Sequence, residues 1–146
     1  MCQNAAMKRL NRIPVLVLAM VLLVAGLGLA ACGETGSKTK AKKAAGVLRD
    51  YYYTTWKAPS PDWEVRKVGI AKDNVVTVNA IINTKTLSKA IMERSKLEQM
   101  EIARLACPAL GDKIWSSVGK EQPVGISLSG SAGHIINALC MNPGER

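Results

Sequence analysis

The chain has 146 residues, enough for one domain, and a formal charge of +9. It has no Phe, three Trp and three Tyr, so its core must rest on Val, Ile, Leu and Ala. A single histidine and scattered acids leave no metal-ligand spacing, so neither a metal site nor a cofactor is expected.

Lys8, Arg9 and Arg12 form a positive front, followed by an uncharged apolar run from Val15 to Leu29. A charged front and an apolar run are the first two parts of a secretory signal. The alternative is an uncleaved spanning helix, since Ile13 to Ala31 approaches the roughly 20 residues a bilayer requires. Pro14, Gly26 and Gly28 weaken that helix, and it would end in small residues and a thiol. Met1 to Ala6 adds no charge, whereas Met7 opens a more typical signal, "MKRLNR", and is an alternative start.

Leu29-Ala30-Ala31-Cys32 resembles the lipobox of bacterial lipoproteins. The resemblance covers only the signal and the modified residue. It implies a signal peptide over residues 1–31, cleavage between Ala31 and Cys32, and diacylglycerol on the Cys32 sulfur with acylation of the new amino group, including palmitate. A thiolate is the best side-chain nucleophile for a thioether, and two or three acyl chains anchor stably where one does not. Gly33 in place of Asp further implies an outer-membrane location facing the periplasm. Export also argues against nucleic acid as the partner of the +6 charge left after the signal.

Residues 32–43 are polar, with Lys38, Lys40, Lys42 and Lys43 close together, and read as a flexible tether. Contact of these lysines with anionic headgroups is the second reading of the same run. The domain is expected over residues 44–146. Its first helix starts near Ala41, with Ala45, Leu48, Tyr52 and Trp56 continuing one stripe. Tyr51 and Tyr53 cannot share that stripe. Pro59 and Pro61 stop the helix.

"WEVRKVGIA" and "VVTVNAIIN" are rich in β-branched residues and read as strands joined by a tight "KDN" turn. In the second strand Val76, Val78, Ala80 and Ile82 share an apolar face, whereas Val75, Thr77, Asn79 and Ile81 share a half-polar one. That alternation predicts a sheet covered on one side. One helix is expected from Thr84–Thr86 to about Leu105, imperfect at Arg94 and Glu98. A short helix in "PALGDKIWSSV" follows, with Asp112 as a cap and Gly119 closing it. "VGISLS" and "HIINALC" are the last strands, linked by "GSAG". The expected fold is α+β: about four antiparallel strands in ββαββ order with a helix on one face, preceded by the N-terminal helix and tether.

Cys107 and Cys140 remain after the signal and anchor are set aside. An exported compartment permits disulfides, so they are expected to pair; two buried free thiols are the alternative. His134 near Ser127, Ser129 and Ser131 suggests a small hydrolase, but "GISLSGSAG" has no Gly-x-Ser-x-Gly and lies between strands. The sequence therefore favours a non-enzymatic envelope lipoprotein, held to the membrane through Cys32 and binding an envelope protein, glycan or lipid. A His134 hydrolase and a structural subunit of an envelope machine are the alternatives.

Overall fold

The computed structural model describes residues 32–143, so the expected signal peptide over residues 1–31, with Ala31 at its expected cleavage point, lies outside the described residues. The order is α1 (Cys32–Thr54), β1 (Trp63–Ile70), β2 (Val76–Ile82), α2 (Lys85–Met92), α3 (Lys96–Arg104), α4 (Ile114–Val118), β3 (Val124–Gly130) and β4 (Gly133–Leu139). Together they form an α+β fold with one four-stranded sheet, in spatial order β1-β2-β3-β4. Among the described residues, no helix is long and apolar enough to cross a membrane.

The sheet is mixed, which corrects the expectation of a wholly antiparallel one. β1–β2 and β3–β4 are antiparallel, but β2 and β3 run parallel, with Val76 opposite Val124 and Ile82 opposite Gly130. The two hairpins have tight turns. The segment between β2 and β3 holds three helices, long enough to return the chain to the end where β2 began, as a parallel crossover requires. The "KDN" turn closes through Ala71 N–H to the Val75 carbonyl (2.9 Å), and Asn74 takes the positive φ of 62° that asparagine tolerates.

The expected long helix is two. Ser95 starts α3 with a capping box: its hydroxyl accepts from the Glu98 N–H, and the Glu98 carboxylate accepts from the Ser95 N–H at 3.0 Å. That local closure restarts the helix in a new direction, so Arg94 and Glu98 mark a boundary rather than flaws in one face. Gln99, buried in the elbow, donates to the Met92 and Arg94 carbonyls left open at the end of α2.

The expected helix start at Ala41 and the flexible tether over residues 32–43 are also corrected: α1 begins at Cys32. From Lys38 onward the segment is rich in Lys and Ala, both good helix formers. Ala41 and Ala44 are buried, so tertiary packing holds this part of the helix. Trp56 lies beyond the helix end but still meets the Tyr52 ring, with centroids 5.4 Å apart.

The core lies on one face of the sheet. Val76, Val78, Ile82, Val124, Ile126 and Leu128 point into it, under Leu48 and Tyr52 of α1 and Trp115 of α4. Each such aliphatic side chain contributes roughly 1.5–3 kcal/mol by leaving water. The three tyrosines of "YYY" each bond a different element. Tyr51 donates to the Asp112 carboxylate (2.9 Å), Tyr52 to the Ala106 carbonyl (2.8 Å), and the exposed Tyr53 to the Arg66 carbonyl at the β1 bulge (3.3 Å). Core, strands and cysteine pair all lie between Ala41 and Cys140, within one compact unit that starts at Gly36.

Candidate functional site

The other face of the sheet carries polar side chains and no helix of the core. Strand register sets them in rows. Lys67, Asn79, Ser127 and Asn137 stand side by side across all four strands, and Glu64, Ile81, Ser129 and His134 form the next row. A third row, Gly69, Thr77, Gly125 and Leu139, completes the face. These residues are exposed or half-buried, apart from Gly125, whereas their β2 and β3 neighbours in sequence are buried. The half-polar alternation of β2 is thus realised as an open sheet face.

A groove of about 330 Å³ lies on this face at the end bearing the β1–β2 turn. Gly125 is its floor, and Val75 and Leu139 are its apolar walls. A β-carbon at Gly125 would stand 3.6 Å from Val75 Cγ1 and 3.7 Å from Leu139 Cδ2, so the absence of a side chain leaves a slot between them. Thr77, Ser127 and Asn137 supply hydroxyl and amide groups, and Asp73 stands at the rim. The volume falls at the lower end of the range for small-molecule sites. With neutral donors and acceptors between aliphatic walls, the groove suits a neutral ligand with both polar and apolar groups. Leu139 is 60% exposed, so one wall is itself available to a partner.

His134 is exposed near the start of β4, opposite Ser129 in register and outside the groove. Glu64 occupies the same row but three strands from His134, roughly 14 Å away at ordinary strand spacing, where it accepts from the Asn83 amide. Ser131 meets Ser88 across the sheet end, 3.4 Å between hydroxyl oxygens. Register therefore brings His134 beside Ser129 but sets neither beside this carboxylate. Among the described residues no three His, Cys, Asp or Glu side chains gather as metal ligands.

Cys32 is the first residue of α1. Cys107 and Cys140 stand at disulfide distance, with Cα atoms 5.6 Å apart, inside the 4.4–6.8 Å window. The pair ties the segment after α3 to the segment after β4. Arg104 reinforces the same contact by donating to the Leu139 carbonyl (3.3 Å). α3 thus covers the outer edge of β4, and β1 is interrupted by its bulge at Arg66. Both devices discourage strand addition at the sheet edges.

Among the described residues, two tyrosines and one acid have shifted titration. Burial, aided by the hydrogen bond to Asp112, pushes the Tyr51 phenol up to about 12. Burial raises Tyr52 further in the same direction. The Ser95 hydroxyl and N–H hold Glu98 below its ordinary value. All three serve packing or capping and lie away from the groove. Asp112 accepts from the Ile114 N–H at the start of α4 (3.0 Å), the capping contact expected of it, and the Tyr51 hydroxyl is a second partner that the sequence did not indicate. The groove itself was not legible in advance, although the polar face of β2 was its one sequence signal. The chain matches no family model, no curated protein and no solved structure.

Proposed function

We propose that this protein is a lipid-anchored, non-enzymatic component of a bacterial envelope that binds a neutral envelope ligand or partner segment in the Gly125 groove. Anchoring rests on the "LAAC" boundary at Cys32. Binding rests on one observation: half of the sheet is left polar and open, with a slot at Gly125 flanked by Val75 and Leu139. The orientation expected is the outer membrane, facing the periplasm, where the Cys107–Cys140 pair would be oxidised.

Gly125→Leu tests the binding reading. The added side chain fills the slot and meets groove walls at ordinary contact distance at its β-carbon, so the fold should persist. Crosslinking in envelopes, followed by capture of the intact protein, should recover a component with the wild type and lose it with this variant. Equal recovery by both would remove the groove from the function. Intact mass of membrane-extracted protein tests the anchor separately: a mature chain starting at acylated Cys32 is expected, and one retaining residues 7–31 refutes it.

A further inference from the structure

We propose that one flank of α1 is a docking surface for an anionic lipid bilayer. Successive helical residues turn by about 100°, so Lys38, Lys42 and Arg49 fall within about 40° of one another and span about 16 Å along the axis. They run beside the buried stripe of Ala41, Ala45, Leu48 and Tyr52, and all three are exposed. Among the described residues none of the three forms an ion pair. Lys40 does, with Glu121 at 3.9 Å, and the helix turn puts it on the opposite flank. Asp50, an exposed acid of the same helix, lies about 100° round from Arg49. From Lys38 to Arg49 the stripe itself therefore carries no acid, and Glu34, four residues before Lys38 in the same helix, marks its N-terminal limit.

Tyr53 continues the flank at its far end and is 56% exposed. A tyrosine ring suits the headgroup level of a membrane. The stripe begins six residues after Cys32 in sequence, the residue expected to carry the acyl chains. In a flexible tether four lysines would have no common face; in a packed helix three basic residues keep one. Charge complementarity with anionic headgroups selects the occupant. The inference takes its biological setting from the anchoring reading above, but its test does not need the acyl chains.

The test uses residues 32–146 with Cys32→Ser, so that no lipid is attached, and vesicles of phosphatidylcholine alone or mixed equally with phosphatidylglycerol. Binding to the anionic vesicles only, weakening as salt rises, is expected. The triple variant Lys38→Ser/Lys42→Ser/Arg49→Ser should lose about a hundredfold in affinity, given the usual contribution of each basic residue at an anionic surface. Lys43→Ser/Lys113→Ser/Lys120→Ser removes as much charge from elsewhere on the surface and should lose little. Equal losses from the two triples, or no preference for anionic vesicles, would overturn the proposal. So would binding to soluble dextran sulfate without binding to vesicles, which would assign the flank to an anionic glycan. Failure of the anchor itself would appear instead in the mass of the membrane-extracted protein.

Discussion

Reducing the Cys107–Cys140 bond leaves every other contact in place and frees the unfolded chain. The two cysteines are 33 residues apart. Closing a loop of that length removes unfolded-state entropy equivalent to about 3.8 kcal/mol at 25 °C. Native domains are stable by only about 5–15 kcal/mol, so the bond accounts for a large share. For a domain of this size the loss corresponds to a fall of about 15–20 °C in midpoint temperature. Urea unfolding of oxidised protein, and of protein held in dithiothreitol, followed by far-ultraviolet circular dichroism, reads the difference directly. The folded baselines should coincide, because the bond acts chiefly on the unfolded chain, and the reduced form should show the steeper denaturant dependence of a more expanded unfolded state. A difference below about 1 kcal/mol would refute the entropic argument, and two alkylatable thiols in protein taken from its native cells without reductant would refute the bond.

Gly130→Ala should cost about 1–3 kcal/mol through overpacking, because its β-carbon would stand 2.5 Å from Ser88 Cβ; urea unfolding should show most of that cost vanish in a Ser88→Gly background. Ser95→Ala should cost about 1 kcal/mol through the lost cap and move Glu98 back up toward its ordinary value in an NMR titration. Glu98 is depressed in the folded protein, so its stabilisation holds above the ordinary carboxylate range and is lost as pH falls through the folded value. Tyr51 is raised, so its contribution is whole below its ordinary value of 10.0 and lost as pH rises toward about 12. Thermal midpoints across that alkaline window should fall less steeply in Tyr51→Phe, which removes this share and leaves that of Tyr52.

The strands were legible because their signal is local. β-Branched alternation placed β1, β2, β3 and β4 within a residue or two, and the half-polar face of β2 announced an uncovered side. Chain direction between β2 and β3 has no such signature: it depends on how the helices between them turn, and the same residues would serve an antiparallel pair. The elbow at Ser95 was written in the sequence as Ser-Lys-Leu-Glu, a capping box, but apolar spacing on either side of it outweighed a four-residue signal. α1 misled for a different reason. Lys38 to Lys43 carries no large apolar residue, and alanines alone make no visible stripe, so the burial of Ala41 and Ala44 emerges only from what the helix packs against. The Gly125 groove is likewise a property of register, since Val75, Gly125 and Leu139 are far apart in sequence and meet only across three strands.

The parallel join between β2 and β3 sets the order in which the molecule can assemble. Each hairpin closes a short turn and can form within microseconds to tens of microseconds. The central seam cannot, because Val76 must find Val124 across a crossover whose closure entropy is lost before any seam contact is made. The two halves of the sheet should therefore behave as early, separable pieces, with their union as the slow event. Substitutions at Val78 or Ile126, on either side of the seam, should slow refolding more than equally destabilising ones in α4. Until the second hairpin arrives, the first stands complete with its apolar face bare.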